Sequence, residues 1–258
     1  MAASRLTLTA LPGMPAVAPG DDLASLILAA LGRANLSLQA GDVLVVAQKI
    51  VSKAENRFAD LARVAPSAEA ERLARETEKD AHLVELILGE SQRVLRARPG
   101  VLIVVHRLGF VLANAGIDAS NVAPGAPDRV LLLPADPDAS AAGLRAEITR
   151  RTGAAPVVIV NDSLGRAWRS GTIGTALGAA GLPALLDLRG KPDLFGRTLR
   201  ATEIGLADQL ASAASLVQGE ADEGTPVALV RGAQALVDAA AATNGAALIR
   251  KPEEDLFL

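Results

Sequence analysis

The sequence predicts an α+β fold, with mixed sheets and helices packed together. Three observations predict it. The β-branched runs Val43-Leu44-Val45-Val46 and Val157-Val158-Ile159-Val160 read as strands buried on both faces. Leu23, Leu26, Ile27, Ala30 and Leu31 recur at helical spacing and predict one buried helix face. Strands and helices also follow one another without strict strand–helix–strand alternation, which favours α+β over a doubly wound α/β sheet. The chain has 258 residues, of which 50% are hydrophobic and 2% aromatic, so a substantial core must be filled by aliphatic side chains. It reads as a single unit over residues 1–258, or as two α+β lobes, with no internal repeat.

The elements follow in order. Arg5 to Thr9 reads as a short strand, and Pro12, Gly13, Pro15, Pro19 and Gly20 make an extended loop. Asp21 or Asp22 caps the helix that carries the Leu23 to Leu31 stripe. Gly41-Asp42 turns into the strand Val43 to Val46. Ala68 to Arg98 predicts two helices joined near Lys79-Asp80. Leu83, Leu86, Ile87, Val94 and Leu95 form the core face of the second, and Pro99-Gly100 ends it. Val101 to Val105 and Phe110 to Leu112 predict paired strands turning near Leu108-Gly109. A loop covers Pro124 to Asp128, a strand Val130 to Leu133, and Asp136-Pro137-Asp138 opens a helix to about Arg151. Gly171, Gly174, Gly178 and Gly181 mark turns or close helix packing. Thr202 to Val217 predicts a helix with Ile204, Ala207, Leu210 and Ala211 on one side. An acidic loop, Gly219 to Gly224, precedes the strand Val227 to Val230, and the tail Lys251 to Leu258 frays or docks on a partner.

Composition excludes several classes of function. A net charge of −3, a pI near 5.5 and few aromatics give no general attraction to nucleic acid or to an anionic membrane. The absence of cysteine removes disulfides, thiolate nucleophiles and Cys-based metal sites. The N-terminus lacks the pattern of a signal peptide, and no apolar run approaches the roughly 20 residues of a membrane span. A cytoplasmic protein is therefore the expectation. The two histidines, His82 on a helix face and His106 near a strand end, read as structural. No Gly-x-Ser-x-Gly elbow, His-Glu-x-x-His pair, P-loop or dinucleotide fingerprint is present. Any chemistry then rests on carboxylates, metal ions and cationic side chains.

The segment Val157 to Arg169 is the most informative. A buried strand ends in Asp162 and Ser163, hard oxygen donors of the kind Mg²⁺ or Mn²⁺ prefers. Arg166 and Arg169 follow around the single Trp168 and offer forked donors for phosphate or carboxylate oxygens. A second polar segment, Asn114-Ala115-Gly116-Ile117-Asp118-Ala119-Ser120-Asn121, reads most simply as an Asx-turn with a helix cap. Its functional reading has Asp118 and Asp162 sharing metal ions from two strand ends. Gln48, Lys49, Ser52 and Lys53 follow a buried strand; the lysines are either solvated or neutralise phosphate charge. Glu220, Asp222 and Glu223 read from pattern alone as a solvated acidic loop.

Taken together, these segments resemble the coenzyme F420-0:L-glutamate ligase family, also called F420 γ-glutamyl ligases. The resemblance is carried by Leu11-Pro12-Gly13-Met14-Pro15, Gly20-Asp21-Asp22-Leu23, the run from Gly41 to Glu55, Asn114 to Asn121, Asn161-Asp162-Ser163-Leu164-Gly165-Arg166, Asp187-Leu188-Arg189-Gly190 and Val230-Arg231-Gly232. Each piece is weak, but the ordered set is specific and spans nearly the whole chain. The resemblance implies an F420 γ-glutamyl ligase-like fold in an intertwined homodimer. It implies a GTP-dependent ligase that adds L-glutamate to coenzyme F420-0, and a γ-linked glutamate to F420-1, through an acyl phosphate. It implies two Mg²⁺ or Mn²⁺ ions, assistance by K⁺ and GTP as co-substrate. By position, Asp118, Asp162, Ser163 and Glu220 match metal ligands. Gly13, Met14, Pro15, Ala16, Gln48, Lys49, Lys53, Asn121 and the loop Gln218, Gly219, Glu220, Ala221, Asp222, Glu223, Gly224 and Thr225 match nucleotide-binding segments. Lys53 and Arg166 add positive charge for catalysis, and Glu203 is a guess for the acceptor of the amine proton. Gln218-Gly219-Glu220 departs from the Met-Gly start common in relatives, and Asn161 and Leu164 also differ. No fused nitroreductase-like domain is expected within these 258 residues. The rival readings are a metal-dependent phosphohydrolase and a non-catalytic GTP-binding regulatory protein.

Overall fold

The structure, a computed structural model, describes residues 5–122, 128–237 and 239–254. Most of the loop expected over Pro124 to Asp128, and the last four residues of the tail, lie outside the described residues. In chain order the elements are β1 (Thr7–Ala10), α1 (Leu23–Arg33), β2 (Val43–Ala47), α2 (Gln48–Ala54), β3 (Phe58–Asp60), α3 (Ala68–Thr77), α4 (Ala81–Gly89), β4 (Ser91–Arg98), β5 (Val101–His106) and β6 (Val111–Ala113). They continue with β7 (Arg129–Leu131), α5 (Pro137–Thr152), β8 (Val157–Arg166), β9 (Arg169–Ala180), β10 (Leu185–Asp187), β11 (Glu203–Gly205), α6 (Leu206–Gln218) and β12 (Val227–Arg231). Helices and mixed sheets thus form the expected α+β arrangement.

The main sheet has the order β1-β12-β2-β8-β9. Only β2 and β8 pair in parallel, with Val43 opposite Val157 and Ala47 opposite Asn161. The alternation of a strand sends Leu44, Val46, Val158 and Val160 to one face, where they pack on Ile27 and Leu31 of α1 and Ala141 and Ile148 of α5. Val43, Val45, Val157 and Ile159 go to the other face, against Leu206, Leu210, Ala211 and Ala214 of α6. Helices on both faces explain why these strands are continuous apolar runs. A second unit, inserted between β2 and β8, packs the sheet β4-β5-β6 on α3 and α4 through Leu73, Ile87, Leu102 and Val104. Of the two candidate caps of α1, Asp22 is the one used; its carboxylate accepts from the Ser25 N–H, while Asp21 accepts from Ala18.

Three expectations are corrected. Ser91 to Arg98 is a strand, not the second half of a helix. It turns through Pro99-Gly100 and pairs with β5, and its two register shifts bring Val94 and Ala97 onto the same buried face. The bulges give the strand a local spacing of three, which mimics a helix in sequence. The glycine-rich segment is the long strand β9 rather than a run of turns, while the expected close helix packing holds at Gly174 and Gly178. A Cβ on Gly178 would lie 2.2 Å from the Pro137 carbonyl carbon, and one on Gly174 would lie 2.5 Å from the Ala211 oxygen. Ile204 belongs to β11, opposite Leu186, so that helix α6 starts only at Leu206.

An ionic cluster fastens the inserted unit. Glu90 at the end of α4 accepts from Arg57 and Arg107, each at 2.9 Å. Arg57 also donates to the Leu133 carbonyl and Arg107 to that of Ala135. His106 is fully buried, and its Nδ1 accepts from the Leu108 N–H. The ring proton therefore sits on Nε2, 3.5 Å from Glu90. Burial alone would raise the Glu90 carboxyl, but His106, Arg107 and Arg57 outweigh it and hold it down at about 2. Its folded value lies below its unfolded one, so the stabilisation is complete above about pH 4.5 and fades as pH falls towards 2. Urea midpoints at pH 7 and pH 3 test this: the wild type should lose more stability on acidification than Glu90→Gln, and equal losses would contradict it.

Candidate functional site

The sheet order gathers the site. β12 runs antiparallel to both β1 and β2, and β2 is parallel to β8. The carboxyl ends of β1, β2 and β8 therefore meet at one edge, joined by the loop that enters β12. Crevices outside the carboxyl ends of adjacent parallel strands are common ligand sites. A cleft of about 460 Å³ opens at this edge. Met14, Pro15 and Ala16 line it after β1, and Gln48, Lys49 and Lys53 from α2. Asn161, Asp162 and Ser163 enter it from β8, Asn121 from the inserted unit, and the loop Gln218 to Thr225 closes it.

Asp118 is held beside this cleft by backbone and side chain together. Its N–H and carbonyl pair with Leu131 across an isolated bridge. Asn114 and Ala115 ahead of it both adopt positive φ, which folds the chain tightly. Gln48 Nε2 donates to Asp118 Oδ2 at 2.8 Å and is itself braced by Ser52 Oγ at 2.9 Å. Lys49 Nζ lies 3.3 Å from the other oxygen. Burial pushes the Asp118 carboxyl up despite the lysine. Burial, and next the charge of Asp118, push Asp162 up to about 7, with Glu220 adding to the effect. Ser163 Oγ donates to Glu220 Oε1 at 2.5 Å. Lys53 donates to the Asn121 carbonyl at 2.6 Å, and Asn121 Nδ2 to the Ala221 carbonyl at 3.1 Å. Burial, and next the charge of Lys49, push the Lys53 ammonium down.

The donor set suits a hard divalent cation. Burial disfavours the negative charge of Asp118 and Asp162, their mutual repulsion adds to it at Asp162, and a cation beside them, with Ser163 and Glu220 as further oxygen donors, would relieve both. Among the described residues no three His, Cys, Asp or Glu side chains close around one point. That openness is compatible with Mg²⁺, which takes few protein carboxylates and completes its shell with water and phosphate oxygens. Lys49 and Lys53 face the same cleft and can neutralise an anionic ligand.

Not every expected residue reaches the cleft. Gly13 shapes the approach: its positive φ turns the chain, and Arg33 donates to its carbonyl at 2.8 Å. Arg166 ends β8 and donates back to the Ser170 carbonyl at 3.3 Å, away from the cleft lining. It follows Asp162 by four residues, at the start of the β8–β9 hairpin. Glu203 pairs with Arg189 in β11, also outside the lining. The amide pair Asn161–Gln218 at the wall of the cleft was not anticipated. A polar residue ending an apolar run was its only local signal.

The F420-0:Gamma-glutamyl ligase family model matches residues 13–232, which include every segment lining the cleft. The Coenzyme F420:L-glutamate ligase of Methanothermobacter thermautotrophicus is 45% identical over 227 residues, covering 88% of this chain and 89% of that protein. The protein of the same name from Methanopyrus kandleri is 45% identical over 242 residues, 93% of each. That from Haloarcula marismortui is 44% identical over 253 residues, 96% of this chain and 93% of its own.

The crowding of Asp118 and Asp162 predicts a stability cost in the metal-free protein. Asp162→Asn, in EDTA at pH 8, should unfold at higher urea than the wild type, by about 1 kcal/mol or more. An unchanged or lower midpoint would show that the carboxylates do not repel as described.

Proposed function

The chain belongs to the F420-0:Gamma-glutamyl ligase family, and from that premise we propose that it joins L-glutamate to coenzyme F420-0, and a γ-linked glutamate to F420-1, at the expense of GTP. The observation that carries this reading is that Asp162, Lys49 and Lys53 line one cleft, with Asp118 held beside it by Lys49. Carboxylates that favour a cation, beside two ammonium groups, suit a metal-bound triphosphate better than an uncharged ligand.

The acceptor carboxylate is a poor electrophile. In the proposed reaction its oxygen attacks the γ-phosphorus of GTP and GDP leaves, giving an acyl phosphate. The glutamate amine then attacks the acyl carbon, the bond to phosphate breaks, inorganic phosphate leaves and the nitrogen gives up a proton. Such steps need positioning and charge more than a protein nucleophile, which agrees with a chain that has no cysteine. Asp118, Asp162, Ser163 and Glu220 are the residues that would hold Mg²⁺ or Mn²⁺, which when bound would offset the charge on phosphate oxygens. Lys49 and Lys53, rather than Arg166, add positive charge at the phosphate. Met14 to Ala16, Gln48, Asn121 and the loop Gln218 to Thr225 form the walls that would enclose the nucleotide. The resemblance also brings K⁺ into the proposal.

A homodimer is part of the same reading. Trp168 at the β8–β9 turn, and Leu194 and Phe195 between β10 and β11, are each 91% exposed. Apolar tips left this open fit burial against a second copy. No helix among the described residues is long and apolar enough to cross a membrane.

Incubation with F420-0, GTP, glutamate and Mn²⁺, read by mass spectrometry, should give products heavier by glutamyl units. Phosphate release that needs neither glutamate nor F420-0 would point to a hydrolase instead. Asp118→Ala and Asp162→Ala should each abolish glutamate-dependent GDP release while the protein stays folded; turnover at the wild-type level in either would remove that residue from the metal assignment. Lys53→Ala should mainly weaken GTP binding, by about tenfold, a loss of about 1.4 kcal/mol. Unchanged GTP affinity in calorimetry would exclude its proposed contact.

A further inference from the structure

Two buried amides lie at the wall of the cleft. Asn161 is 4% exposed and Gln218 is 7% exposed. Asn161 Nδ2 donates to Gln218 Oε1 at 2.9 Å. Gln218 Nε2 donates in turn to the carbonyls of Val45, at 3.2 Å, and Pro226, at 3.1 Å. One side chain at the end of α6 thus ties together β8, β2 and the entry to β12. The Gln218 carbonyl also accepts from Thr225 Oγ1 at 2.8 Å, which closes the base of the acidic loop. The β8–β9 pairing shifts register between Val160 and Asn161, where Leu177 of β9 is the extra, unpaired residue.

The neighbours of these amides give the pair its meaning. Asp162 and Ser163 follow Asn161 directly, and Gly219 and Glu220 follow Gln218. Two segments carrying oxygen donors therefore leave the core from one buried hydrogen bond, and they meet again at the Ser163–Glu220 contact. An apolar pair would fill the same space without fixing the two chains relative to each other. Hydrogen bonds behind metal-binding oxygens commonly set their orientation, and their loss costs about 10–100-fold in metal affinity.

We propose that Asn161 and Gln218 are positioning residues which, acting as one unit, set the separation of Asp162 and Ser163 from Glu220 and thereby the affinity of the cleft for a divalent cation. This rests on the reading that those oxygens hold the cation.

The test uses the whole chain without nucleotide, with Mn²⁺ affinity read by electron paramagnetic resonance and thermal midpoints measured in EDTA. The variants are Asn161→Leu, Gln218→Met and the two combined. Either single change orphans a buried amide and lowers the midpoint, whereas replacing both partners by apolar groups of similar size is far less costly. The double variant therefore stays folded even if a single one does not. Mn²⁺ affinity should fall about tenfold in each folded single variant, and by no more than about tenfold in the double, since the amides share one function. A double variant that binds Mn²⁺ within twofold of the wild type would overturn the proposal and reduce the pair to core packing. Losses that multiply to about a hundredfold would overturn it as well, because the amides would then act independently. A wild-type protein that binds no Mn²⁺ would instead overturn the cation site itself.

Discussion

Val43 to Ala47 lie beside Val157 to Asn161 in parallel register, with helices over both faces, and this pairing governs the site. Parallel neighbours must be joined by a crossover. Here the crossover contains α2, the whole inserted unit and α5. Both strands end at the same edge, so Gln48 and Lys49 emerge next to Asp162. The inserted unit returns over α2, where Gln48 and Lys49 hold Asp118. Carboxylates far apart in sequence are thus delivered to one cleft by a single strand pairing.

The cleft is electrostatically uncomfortable by construction. Asp162 is pushed up first by burial and then by Asp118, while Lys53 is pushed down by burial and Lys49. Like charges face like charges on both sides, and the Lys49–Asp118 contact offsets only part of the cost. Such an arrangement persists only where surrounding structure over-determines it. The continuous apolar packing of β2 and β8, the Asp118–Leu131 bridge and the Gln48–Ser52 brace supply that support. A polyanion carrying divalent cations would satisfy both sets of charges at once.

Much of this was legible in the sequence, for reasons that differ by element. Strands β2, β8 and β12 were readable because burial on both faces demands uninterrupted β-branched and aliphatic runs. Asp136-Pro137-Asp138 announced α5 through its cap and first turn. Ser91 to Arg98 was misread because two bulges gave a strand a spacing close to that of a helix. The glycines of β9 gave no hint of a strand, since their reason is the close approach of α5 and α6, which is a property of packing. In the site, the ordered motifs pointed to Asp118, Asp162, Ser163 and Lys53. Arg166 is close to Asp162 in sequence yet lies outside the cleft lining, a placement that only the fold reveals. The Asn161–Gln218 bond joins residues whose local patterns are independent, so only the fold reveals it.

The proposed reaction requires that Asp118 and Asp162 hold divalent cations beside the nucleotide. Crystals grown with Mn²⁺ and a non-hydrolysable GTP analogue, measured at the manganese absorption edge, address it directly. Anomalous peaks within coordination distance of both aspartates, with the triphosphate between them and Lys53, are the predicted result. Nucleotide bound outside this cleft, or manganese peaks that touch neither aspartate, would contradict it.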